Sequence, residues 1–204
     1  EWRHKILAAI RALEGGISFS GIVEADELLM SYSEKGRKFK SKEEYRRAKN
    51  KKHPKVAVLV VTDREGNLLF KQVGEKKVKN EQLREELKNR LSESNLICVK
   101  PKKEFRKAVK SLQSKKVIVN KRQIKRGIYS VKIIESKISD FKTWLTRFHG
   151  VATKYLQSYL MWFVIMSKYL KELIDPDIGR LLNLSSHDRW AWDKYREIVS
   201  QMYD

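Results

Sequence analysis

The stretch from Tyr129 to Tyr169, YSVKIIESKISDFKTWLTRFHGVATKYLQSYLMWFVIMSKY, reads as a helix, a tight break at His149-Gly150 and a second helix. The first helix carries Glu135 among Lys132, Lys137 and Lys142. Glu135 and Lys142 are close to two helical turns apart, so both project from one face. A carboxylate with a lysine at that distance suits a phosphate-and-metal site. On spacing alone, an ordinary solvated helix is the commoner explanation. In the second helix Tyr155, Tyr159, Trp162, Phe163 and Met166 share one side. An aromatic stripe of this kind is core, packed against a sheet or against the Glu135 helix.

Upstream the apolar pattern changes to short strands. Ile17–Met30 is mostly apolar on both faces, as a central strand of a covered sheet should be, with Asp26 near its C-terminal end. A carboxylate there needs a cation, donors or an exposed strand end. Glu24 shares the face of Asp26 and Glu27 points the other way. Val56–Thr62 and Asn67–Val73 form a hairpin around Asp63-Arg64-Glu65-Gly66, where Asp63 is a turn residue. Asn80–Ser94 is an amphipathic helix with Leu83, Leu87 and Leu91 on one stripe. Leu96–Val99 is a fourth strand, Lys102–Leu112 a helix and Lys116–Val119 a fifth strand. Three strands, then alternation of helix and strand, predict an α/β fold of RNase H-like order with a mixed five-stranded sheet flanked by helices.

The composition points to a polyanionic partner. Forty-five Lys and Arg stand against 25 Asp and Glu in 204 residues, a net charge of +20. Nucleic acid is the first candidate. Between Lys35 and Lys55, KGRKFKSKEEYRRAKNKKHPK, eleven of 21 residues are basic. This density predicts a loop that holds DNA phosphates through Lys35, Arg37, Lys38, Lys40, Lys42, Arg46, Arg47, Lys49, Lys51 and Lys52. Lys132 and Lys137 would extend the same grip. A membrane partner is not expected: the stretch lacks an apolar face, and no apolar run reaches the roughly 20 residues that span a bilayer. A soluble, intracellular protein is the expectation. The single Cys98 forbids an internal disulfide and reads as a small buried hydrophobe.

The run TRFHGVATKYLQSYLMWF resembles the C-terminal signature of insertion-sequence DDE transposases of the Merlin-related, ISXO2-like group. SGIVEADE resembles the strand that carries that family's first catalytic aspartate. The resemblance extends from Trp2 to about Tyr169. It implies an RNase H-like fold and Asp26 as first acid, Glu135 as third acid and Lys142 as the accompanying lysine. In an active member, Asp26 and Glu135 would hold Mg²⁺ or Mn²⁺, two ions about 4 Å apart on either side of the scissile phosphate. It also implies self-association on paired DNA ends.

The second acid is missing. Where the family resembles CTDG after its fourth strand, this chain reads Cys98-Val99-Lys100-Pro101, so Lys100 occupies the aspartate position. A lysine supplies no oxygen ligand and sets a positive charge where a cation would sit. The expectation is therefore a transposase-derived DNA-binding protein that has lost cleavage and needs no cofactor, with Lys100 bridged to Asp26 or Glu135. The alternatives are an active two-metal transposase that borrows Glu104, and a regulatory or structural module of a larger nucleoprotein complex.

By domain, residues 1–16 read as an N-terminal helix, and the resemblance implies a DNA-binding region before it, either lost or lying ahead of this sequence. Residues 17–150 read as the RNase H-like domain with its basic insertion at 35–55, and residues 151–204 as a helical C-terminal extension. Within the extension, Trp190, Trp192 and Tyr195 suggest docking onto the domain or onto a protein partner.

Overall fold

The structure is a computed structural model that describes residues 2–12, 16–51, 53, 55–75, 77–112, 115–118, 125–126 and 128–169. Its centre is a five-stranded sheet ordered β3-β2-β1-β4-β5, built from β1 (Ile22–Met30), β2 (Val56–Asp63), β3 (Leu68–Glu75), β4 (Leu96–Val99) and β5 (Lys115–Ile118). β1 pairs antiparallel with β2 and parallel with β4, so the sheet is mixed and β1 is its middle strand. An antiparallel β1-β2-β3 meander followed by parallel β4 and β5 is an RNase H-like arrangement. The α/β order read from the sequence holds.

Strand alternation divides the core in two. On one face Val23, Ala25, Leu59, Val61 and Leu69 pack under α3 (Asn80–Lys88) and α4 (Lys103–Lys110), through Leu83, Leu87, Phe105 and Val109. On the other, Leu28, Val58, Val60 and Phe70 meet α5 (Lys132–Thr146) and α6 (Leu156–Tyr169), through Ile134, Phe141, Leu160 and Phe163. All eight residues of β2 are buried. Burial on both faces is why VAVLVV reads as a continuous apolar run instead of an alternating one.

α6 is buried on more than its aromatic stripe. Phe163 packs with Phe70 and Phe141, while Tyr159, Met161 and Ile165 pack on Leu7 and Ile10 of α1 (Trp2–Ala12). The stripe thus serves two contacts, and α6 is the bridge between α1 and the sheet. Between α5 and α6 the chain reverses with His149 and Gly150 both at positive φ, 49° and 93°. Gly150 adopts this conformation at no steric cost and ends α5 where the sequence places the break.

Several element bounds differ from the sequence reading. The first strand starts at Ile22, five residues later than expected, and α3 stops at Lys88 instead of Ser94. The first helix of the Tyr129–Tyr169 stretch begins only at Lys132, because a short ladder of β6 (Lys125–Arg126) and β7 (Tyr129–Ser130) precedes it. The basic stretch is not all loop. It contains α2 (Lys42–Asn50), whose N-cap Ser41 accepts a hydrogen bond from the Glu44 amide at 3.1 Å. Glu43 and Glu44 sit in its first turn, where acids are favoured by the helix dipole. The Trp190–Tyr195 region lies outside the described residues.

Candidate functional site

The parallel pairing of β1 and β4 aligns Ala25 with Val99, so the next residues, Asp26 and Lys100, emerge side by side. α5 crosses the same face and brings Glu135. The Lys100 ammonium donates to Asp26 Oδ2 at 2.7 Å and lies 2.7 Å from Glu135 Oε1. One nitrogen therefore joins the two carboxylates. Lys102 completes the arrangement from the start of α4. Its ammonium donates to Asp26 Oδ1 at 2.8 Å and stands 3.6 Å from Glu27 Oε2. Both side-chain oxygens of Asp26, a residue only 4% exposed, are thus held by cations.

The electrostatics follow from this packing. Burial drives the Asp26 carboxyl upward, but the hydrogen bonds from Lys100 and Lys102 outweigh it and hold the group below its ordinary value. Burial likewise opposes the charge on Lys100, yet Asp26 and Glu135 hold its ammonium above the ordinary lysine range. Glu24, two residues earlier on the same face and 1% exposed, meets a different fate. It accepts from the Ile134 amide at 3.0 Å and the Ser130 hydroxyl at 3.2 Å, with Arg64 at 3.3 Å. Burial prevails there, and its carboxyl is raised. Glu24 ties the start of α5 to β1 and so fixes where Glu135 stands. Beside it, burial and the Glu24 charge push the Cys98 thiol up to about 11, as befits an inert core residue.

A divalent ion does not fit this donor set. Among the described residues no group of three or more His, Cys, Asp or Glu side chains is arranged to take a metal ion. An ammonium instead stands between Asp26 and Glu135. At an effective dielectric of 20, a divalent ion about 4 Å from that ammonium is opposed by roughly 8 kcal/mol. Glu104 does not fill the gap: it lies in α4 and faces Lys77 at 3.7 Å. Lys142 is exposed two turns beyond Glu135 and has no ion pair among the described residues. Asp63 is a turn residue: its carboxylate accepts from the Asn67 amide and side chain and from the Ser20 amide, at 2.8–3.0 Å.

A family model for the ISXO2-like transposase domain matches residues 18–166, which span the whole sheet, α5 and most of α6. This chain belongs to the ISXO2-like transposase family. No curated protein and no solved structure matches it. Within the transposase domain, the matched region includes Asp26, Lys100, Lys102 and Glu135.

The transposase's basic arm, residues 35–55, is anchored by the signature that follows α5. The Thr153 amide donates to the Ser33 carbonyl, and the Ser33 amide to Thr153 Oγ1, both at 2.8 Å. The Lys35 ammonium donates to the carbonyls of Phe148, His149 and Gly150 at 2.9–3.0 Å. These carbonyls belong to the turn that follows α5. Lys35 is therefore tied to the turn after α5 while its side chain stays exposed. Arg37 is also engaged: it pairs with Glu34 at 2.9 Å and Glu44 at 3.0 Å and lies over the Phe39 ring. Lys38, Lys42, Arg46, Arg47 and Lys51 are exposed and make no ion pair among the described residues. Lys40 and Lys132 are exposed and Lys137 is half-buried, whereas the Lys49 side chain and Lys52 lie outside the described set. Neither Lys102 nor the Lys35 clamp was found by sequence reasoning. Each depends on a partner more than 70 residues away, so no local signal in the sequence marks either.

No helix among the described residues is long and apolar enough to cross a membrane.

Proposed function

We propose that this transposase domain binds DNA through its basic arm and no longer cleaves it, because Lys100 has taken the place of the second metal-binding acid. The observation that carries this reading is the single ammonium within 2.7 Å of both Asp26 and Glu135. An internal cation performs the neutralisation that a metal would otherwise supply, and it holds the two acids together without offering an oxygen ligand. The outward charge on α2 supports binding that depends on phosphates and not on base identity.

Nicking of supercoiled plasmid and strand transfer in Mn²⁺ at low salt test the chemistry. The parent is expected to shift DNA and leave it intact. Since Lys102 also occupies Asp26, the informative revertant is Lys100→Asp combined with Lys102→Met, which frees both carboxylate oxygens. Cleavage by the parent that Asp26→Ala abolishes would overturn the inactive reading. Failure of the parent to bind DNA at any salt would overturn the rest.

A further inference from the structure

The base of the arm contains a cavity that the reading above does not use. It has a volume of about 360 Å³ and is lined by Glu34, Lys35, Arg37, Phe39, Tyr45 and His53. Its aromatic residues are held by contacts with one another and with their neighbours. Phe39 meets Tyr45 edge to face at 5.3 Å, the Arg37 guanidinium caps Phe39 at 5.1 Å, and His53 stacks on Tyr32 at 4.5 Å. Two carboxylates fix Arg37, and Lys35 is clamped to the end of α5, so neither cation is free to fold into the space. Tyr45 remains 51% exposed, so its ring is open to a partner. Exposed cations flank it along α2: Lys42, Arg46 and Arg47.

A half-open cavity with exposed aromatic surface and cations around it has the chemistry of single-stranded nucleic-acid recognition. Every base offers a π-face, and the phosphates on either side need positive charge. Arg37 and Glu34 at the rim present fixed donors and acceptors to a base edge. We infer that this cavity receives one unpaired nucleobase, stacked on Tyr45, from a frayed or overhanging DNA end lying across α2. The inference rests on the DNA-binding reading but not on the state of the acid centre.

The test uses two duplexes of the same sequence, one blunt and one with three unpaired nucleotides at an end, the middle one 2-aminopurine. The parent should bind the overhang duplex about tenfold more tightly than the blunt one and quench the 2-aminopurine emission as the base stacks. Tyr45→Ala should remove both the preference and the quenching, with blunt-duplex affinity and melting temperature unchanged. Tyr45→Phe, which keeps the ring, should retain both. Equal affinity of the parent for the two duplexes would overturn the inference and leave the DNA reading standing. So would a Tyr45→Ala variant that loses blunt and overhang binding alike, since that would make Tyr45 a structural prop of α2. Binding of neither duplex would sink the DNA reading and this inference together.

Discussion

Between β4 and α4, Lys100 and Lys102 turn their charged groups inward onto Asp26, whereas Lys42, Arg46 and Arg47 on α2 hold theirs in solvent. The residue types are similar and the surroundings opposite. Around Asp26 the strand ends converge on buried carboxylates, so each cation there is spent on neutralising an acid of the same chain. On α2 the acids Glu43 and Glu44 sit in the first turn and Glu44 is taken by Arg37, while Lys42, Arg46 and Arg47 make no ion pair among the described residues. Net charge alone is blind to this division. The charge available to a polyanion is what remains after the internal pairs are formed.

The comparison can be broken most decisively on the arm. Reversing Lys42, Arg46 and Arg47 together to Glu should lower duplex affinity by a hundredfold or more near physiological salt. It should also flatten the slope of log K against log salt by roughly 2.7 if three phosphate contacts are lost. The melting temperature should stay close to that of the parent, because exposed, unpaired side chains contribute within about 0.5 kcal/mol each. Titrations at several salt concentrations decide it. An unchanged slope would show that the arm's charge is not what meets DNA.

Asp26→Asn should act in the opposite sense, on stability and not on DNA. It leaves Lys100 and Lys102 facing each other without their shared anion. Breaking a buried pair costs about 3–5 kcal/mol, which the partial exposure of both lysines reduces to about 2 kcal/mol. Urea unfolding at neutral pH measures the loss. The pH dependence has a definite sign. The Asp26 carboxyl is depressed in the folded state, so its stabilisation is complete above the ordinary value of 3.8 and is lost as pH falls through the lower folded value. Parent and Asp26→Asn should therefore converge in stability in strong acid. Curves that remain parallel would mean that the lysines do not depend on the Asp26 charge.

The smallest effect is expected at Glu135, whose side chain is 42% exposed although it shares the Lys100 ammonium. Solvent screens that bond, and Glu135→Gln should cost less than about 1 kcal/mol by the same unfolding measurement. A loss equal to that of Asp26→Asn would show Lys100 to be balanced between two acids, not seated on one.

Much of the fold was legible in the chain because its signals are local. β2 reads as a buried strand from its unbroken VAVLVV, and Gly150 marks the end of α5 because its positive φ suits glycine. Asp63 reads as a turn residue because an Asx side chain closes its own loop. The misplaced bounds have local causes too. Ser94 is outside α3 because Ser92 and Asn95 form a hydrogen-bonded turn ahead of β4, and Ser41 nucleates a helix inside a stretch dominated by its charge. Within the site, the strand and helix that carry Asp26 and Glu135 could be named in advance. The role of Lys35 could not, since its acceptors are backbone carbonyls 113 to 115 residues further along.

Sequence by itself determined the order of the five sheet strands, the surplus of positive charge, the presence of Asp26 and Glu135 on their elements, and the lysine just after β4. Only the tertiary structure decided which cations are spent and which are free. An ion pair depends on the distance between charges that folding brings together, and the β1–β4 register and the crossing of α5 set that distance here. Lys102 and Lys42 look alike in the chain. One lies 2.8 Å from a buried carboxylate, and the other faces water.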